Sequence, residues 1–191
     1  MLAALVAVVS LSGCAALNTV HADLSTWGEW PAGRQPGTYA FERLPSQAAR
    51  ADEAERLEAA ARPALEKAGF KPAEAGATPD VIVQVAARLT RTAPDLWADP
   101  LWWRGGFGYY RRTWTGPVWV IDPRLDSTRY DREVALLLRD GASGKPLYEA
   151  RVSNEGSTAG GDSLLKALFQ GALVDFPRTG PNPRPVSVTL D

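Results

Sequence analysis

Asp80-Val81-Ile82-Val83-Gln84-Val85-Ala86-Ala87-Arg88-Leu89-Thr90 decides how this chain folds. Val81, Val83, Val85, Ala87 and Leu89 alternate with Gln84, Arg88 and Thr90. A period of two puts one side of a strand on a core and leaves the other side wet. Such a strand needs neighbours in a sheet and a covering layer on its apolar side.

The neighbours are legible on both sides. Arg129 to Asp140 repeats the pattern, with Val134, Leu136 and Leu138 on one face. Gly141-Ala142-Ser143-Gly144 is turn chemistry, and Leu147 to Ser153 returns with Tyr148, Ala150 and Val152 alternating, which makes a hairpin. Val118-Trp119-Val120-Ile121 is a further strand candidate, stopped by Asp122-Pro123. Upstream, Thr38 to Glu42 reads as a first strand, ended by Leu44-Pro45-Ser46, with Ser46 placed to cap a helix. Gln47 to Ala68 is rich in good helix formers. Ala54, Leu57, Ala61, Ala64, Leu65 and Ala68 give it a narrow apolar stripe, which Pro63 is expected to kink or interrupt. Gly69 supplies a left-handed stop, and Phe70 folds back on the last turn. A last helix starts at Asp162 or Ser163 and runs to about Asp175, with Leu165, Leu168, Phe169, Ala172 and Phe176 as its buried stripe. The expected fold is α+β, a mainly antiparallel sheet of about four to five strands with two helices packed on one face.

The amino-terminal run Met1 to Val9 is apolar and uncharged, and Leu11-Ser12-Gly13-Cys14 closes it. A spanning helix needs roughly 20 apolar residues, so this run suits the core of an export signal instead. It lacks the Lys or Arg that normally precedes such a core, which fits a start upstream of Met1 or a trimmed chain. Small residues ahead of a cysteine make a lipobox. On that reading residues 1–13 are a signal peptide, and Cys14 begins the mature chain and carries lipid. Cys14 is the sole cysteine, so no internal disulfide competes for it; the bland alternative is a buried, inert thiol. Each buried acyl methylene contributes about 0.8 kcal/mol, so a multiply acylated cysteine holds firmly. Ala15, where retention in the inner membrane uses Asp, favours the outer membrane. Residues 14–37 read as a lipidated tether whose Trp27 and Trp30 either pack on the domain or sit at headgroup level. Residues 38–177 read as one domain, and residues 178–191 as a proline-rich, poorly ordered tail in which Val186 to Leu190 is able to pair at a sheet edge.

Net charge is −1, from 21 basic and 22 acidic residues, and no basic stripe marks a nucleic-acid binder. His21 is the only histidine and falls in the tether, so a Ser-His-Asp or Cys-His device has no scaffold to hold it. Zinc wants several His or Cys ligands. Asp122, Asp126 and Asp131 read as solvated loop carboxylates before they read as a hard-cation site. Gly105-Gly106-Phe107-Gly108 is not a dinucleotide fingerprint, because Arg111 stands where the third glycine belongs. Neither catalysis nor a cofactor or metal is expected.

Five of the seven tryptophans lie from Trp97 to Trp119, around Trp102-Trp103-Arg104 and Phe107-Gly108-Tyr109-Tyr110-Arg111-Arg112. Three readings compete. The aromatics fold onto the sheet and complete its core. Or they form an aromatic and arginine surface for a protein partner, the residue types that dominate hot spots. Or they meet lipid or glycan, rings lying flat and arginines on phosphates.

The chain resembles a family of bacterial lipoproteins known as domain of unknown function 4136. The resemblance rests on the lipobox Leu11 to Cys14, Tyr39-Ala40-Phe41 with Leu44-Pro45, and Leu65 to Phe70. It continues through Pro79-Asp80-Val81-Ile82-Val83, the strand Val134 to Asp140, Gly144-Lys145-Pro146-Leu147-Tyr148, and Asp175-Phe176-Pro177. Tyr148 stands where the family often has Trp. The resemblance implies a small α/β domain on a lipid anchor facing the periplasm, and brings no catalytic residues. A looser similarity of layout exists to auxiliary lipoproteins of envelope lipid transport. The expected role is a non-catalytic module, lipid-anchored at the outer membrane, that binds an envelope protein through Trp102 to Arg112 or a free sheet edge. The alternative is a lipid-transport accessory that contacts lipid through the same aromatics.

Overall fold

The computed structural model describes residues 18–92, 109–113, 116–120 and 128–190, the two short central stretches by backbone alone. The strand read first is β4 (Val81–Thr92), and it pairs antiparallel with β7 (Arg129–Asp140) through twelve consecutive positions. β7 turns into β8 (Pro146–Gly156), with an irregularity at Leu138/Arg139. Val81, Val83, Leu136, Leu138, Tyr148, Ala150 and Val152 are fully buried on one side of this trio, as the alternation predicts.

The sheet has seven strands in the order β3-β2-β4-β7-β8-β1-β9, more than the expected four to five, and it is mixed. β2 (Thr38–Phe41) runs parallel to both β4 and β3 (Lys71–Pro72). Two of the added strands come from segments read as tether and tail. β1 (Thr19–Trp27) lies between β8 and β9 and buries Val20, Ala22, Leu24 and Thr26. β9 (Arg184–Thr189) forms the edge next to it, close to the pairing read for Val186 to Leu190. Three prolines precede Val186 in this stretch, yet side chains anchor it. Asn182 presents an amide to the backbone of Thr26 on both sides, accepting from its N–H and donating to its carbonyl at 2.8 Å each. Arg184 binds Asp175 at 3.0 Å and the buried Thr26 hydroxyl at 3.0 Å.

Two long helices cover one face. A short α1 (Pro45–Ala48) precedes α2 (Ala51–Lys67), and α3 (Asp162–Ala172) crosses β7, β8, β1 and β9. The stripe on α2 is as read except that Ala68 is the C-cap and only partly buried; Ala60 and Glu58 are added, Glu58 bound to Arg43 at 2.5 Å. Pro63 is exposed, and the helix runs through it without interruption. Ser46 does not cap; Gln47 does the work, accepting from Leu44 N–H at 2.9 Å and donating to Val85 O at 2.7 Å. Neither Asp162 nor Ser163 caps α3, whose N-cap is Gly161. Gly69, at φ +95°, ends the first layer as expected, and Phe70 is buried. Phe70, Phe176, Trp30 and Tyr148 then form a ring cluster with centroid distances of 4.8 to 5.8 Å. Trp30 thus packs on the domain and donates to Arg34 O at 2.9 Å. Burial pushes the Tyr148 phenol up to about 12, and its hydroxyl donates to Ala172 O.

A charged clamp closes the β4–β7 end beside the turn. Arg34 binds Asp140 at 2.7 Å and Asp80 O at 2.9 Å. Asp140 also accepts from the Ser143 hydroxyl and N–H at 2.7 and 2.8 Å. The Ser143 hydroxyl first, then Arg34, hold the Asp140 carboxyl well below its ordinary value, and Thr38 N–H and hydroxyl lower Asp80. Gly141 sits so close that an added Cβ would collide with Pro79 O. Both folded values lie below the ordinary 3.8. The stabilisation is therefore complete above that pH and lost as pH falls from there toward the depressed values. Asp140→Asn is expected to unfold at lower urea than the parent at neutral pH, with the gap narrowing as pH falls below about 4. Urea melts of both chains between pH 3 and 7 check this; a gap constant over that range contradicts it.

Candidate functional site

No described helix packs across the sheet face opposite α2 and α3. Residues directly opposite in antiparallel strands share a face. One row across it reads Arg88, Glu133, Ser153, Asp23 and Pro185, from β4 to β9. The next row outward reads Thr90, Asp131 and Glu155. Together with His21 these residues line a groove of about 620 Å³ on the sheet. Carboxylates predominate, with Arg88 directly across from Glu133 and Arg129 within 3.8 Å of Glu155. Thr92 donates to Asp131 at 3.3 Å.

Toward the other end the face changes character. Ala86, Ala135 and Leu137 form a small apolar strip, bordered by Arg151 and Glu149 at 2.9 Å. Arg151 also lies 5.5 Å over the ring of Trp27, which is 43% exposed. Glu42 gathers Arg139 and Gln84 at the margin.

The sequence-read residues divide by place. Cys14, Trp102, Trp103, Arg104 and Phe107 lie outside the described residues, as do Asp122 and Asp126. Tyr109, Tyr110, Arg111 and Arg112 fall on β5 (Tyr109–Thr113), which pairs antiparallel with β6 (Gly116–Val120) as a separate two-stranded ribbon. The strand read at Val118 is therefore real but does not join the main sheet. Leu89 continues the apolar alternation of β4 yet is 52% exposed, because the strand runs past the helices.

His21 is not in a tether but on β1, where Nδ1 lies 3.0 Å from Ser187 Oγ on β9. A nucleophilic serine needs its histidine oriented by a third group and an oxyanion site beside it. Among the described residues no carboxylate bonds the other ring nitrogen, and the pair is exposed on the outermost strands. It is a cross-strand contact. Among the described residues, too, no three His, Cys, Asp or Glu converge as a metal site. No described helix is long and apolar enough to cross a membrane. His21 and Asp23 were missed as surface groups, although Val20, Ala22 and Leu24 alternate around them.

Helices on one face of a seven-stranded mixed sheet define an α+β domain. The model of the family described as Domain of unknown function (DUF4136) matches residues 23–178, and the chain belongs to that family. No curated protein matches. Among solved structures, a PDZ domain protein from Parabacteroides distasonis is 14% identical over 93% of this chain, with a TM-score of 0.53. The chain spans 42% of that protein, so the likeness is one of fold. Two crystal forms of the PelC dodecamer from Paraburkholderia phytofirmans are 14% and 13% identical. They cover 80% of this chain and 94% and 95% of PelC, at a TM-score of 0.36.

The two faces of β7 differ in what they tolerate. Leu138→Ala on the helix side is expected to cost about 2–5 kcal/mol. Leu137→Ala on the opposite side is expected to cost under about 1 kcal/mol. Denaturant midpoints of the two variants check the assignment, which the reverse order overturns.

Proposed function

We propose that the chain is a non-catalytic lipoprotein, anchored through Cys14 at the outer membrane and facing the periplasm, that binds an envelope protein as an assembly accessory. The supporting observation is the face of β4, β7, β8 and β1 on which no described helix packs; it carries paired charges, an apolar strip and the half-exposed Trp27. Such a mixture suits recognition: exposed aromatics and arginines supply the energy, and charges set the register. Trp102 to Arg112 extends the chemistry, since the chain between Thr92 and Arg129 carries it. A second reading, lipid contact through these aromatics, draws support from where that segment joins the sheet. Thr92 and Arg129 are paired at the end of β4 and β7, at the same strand end as Thr19.

Two experiments test this. Cys14→Ala is expected to shift the protein from the membrane fraction to the soluble periplasm; persistence with membranes sinks the anchor. A photo-crosslinker at Trp103 in living cells, read by mass spectrometry, is expected to capture one protein repeatedly. Captured phospholipid or lipopolysaccharide selects the second reading instead, and capture of the protein's own sheet alone makes the segment structural.

A further inference from the structure

We infer that the domain stands end-on to the bilayer, with the sheet end formed by Thr19, Thr92, Arg129 and Thr189 against the headgroups and the strands running away from them. The inference rests on lipidation of Cys14 and adds an orientation to it.

Arg88, Glu133, Ser153 and Asp23 occupy one row across β4, β7, β8 and β1. Thr92 lies four residues beyond Arg88, Arg129 four before Glu133, and Thr19 four before Asp23, all toward the same end. Thr92 pairs with Arg129, and Thr19 with Thr189. Asn18 is fixed there too, accepting from Leu190 N–H at 2.7 Å. Four chain steps separate Cys14 from Asn18, and a fully extended chain spans at most about 3.6 Å per residue. The acyl-bearing residue is thus within about 14 Å of this sheet end. The opposite end is far. β7 has 12 residues. At roughly 3.4 Å per residue the turn at 141–144 stands about 37 Å away.

The chemistry of the end agrees with a headgroup layer. Its outermost pairs are Thr92 with Arg129 and Arg91 with Tyr130. Arginines meet phosphates through charge-assisted hydrogen bonds, and tyrosine is favoured at the membrane interface. The carboxylates Asp131, Glu133 and Glu155 stand in the rows behind, Glu155 reaching Arg129 at 3.8 Å and Asp131 accepting from Thr92 at 3.3 Å. Trp27 and Trp30 lie in the far half, which removes them from the headgroups.

The test uses the lipidated protein, carrying either Arg129→Cys or Ala142→Cys, labelled with a thiol-reactive fluorophore. Acylation leaves Cys14 without a free thiol, so only the new cysteine reacts. The protein is reconstituted into vesicles of phosphatidylethanolamine and phosphatidylglycerol containing a headgroup-spin-labelled phospholipid. Most of the fluorescence at position 129 is expected to be lost to quenching, and none at position 142. Equal quenching at both positions, quenching at neither, or stronger quenching at 142 overturns the orientation. Flotation of the same vesicles keeps the two readings apart. Protein that fails to float refutes the anchor and the orientation with it; protein that floats but quenches otherwise refutes the orientation alone.

Discussion

The structure depends on the pairing of β4 with β7. Twelve consecutive positions without an offset place Val83, Val85 and Ala87 beside Leu138, Leu136 and Val134 on one side. A shift of one residue would turn every one of these side chains to the opposite face. Everything else is built against that ribbon. The helices need its apolar side, β8 takes its register from β7, and β1 and β9 extend β8 outward. The clamp of Arg34, Asp80, Asp140 and Ser143 sits at one end of the ribbon and fixes where the register begins.

Much of this was legible because alternation and helical periodicity are strong signals where an element has one buried face. Val134 to Leu138 and Tyr148 to Val152 are buried residue by residue as the pattern demands. The α2 stripe was legible for the same reason. The strand count was not. β1 carries a clean alternation, Val20, Ala22, Leu24 and Thr26, but follows directly on the lipobox, and its polar partners His21, Asp23 and Ser25 look like a solvated tether. β9 hides behind prolines whose cost in backbone pairing is offset by the amide of Asn182, a long-range contact that no local pattern encodes. β2 was legible as a strand, but its parallel pairing was not, because that depends on the α2 crossover and not on the strand's own residues.

The face opposite the helices was legible only in part. Gln84, Arg88 and Thr90 marked β4 as wet on one side, yet periodicity does not say which residues of other strands stand in the same row. That follows from register, and register between β8 and β1 is set across more than a hundred residues of chain. The exposure of Leu89 makes the complementary point. Its position in the alternation is that of a core residue, but burial requires a helix overhead, and the helices stop short of it.

Topology brings Thr19, Thr92, Arg129 and Thr189 to one end of the sheet. β1 and β9 are antiparallel, so the chain comes into the sheet and leaves it on the same side. β4 and β7 are antiparallel as well, so Thr92 and Arg129 lie at a single end. β8, between β7 and β1, is antiparallel to both, which makes the outgoing end of β4 and the incoming end of β1 coincide. The turn joining β7 to β8 is thereby sent to the far side, where the Asp140 clamp holds it. One pairing scheme, chosen by the core, places the residues beside Cys14 and the ends of the aromatic segment together without any contact between them being required.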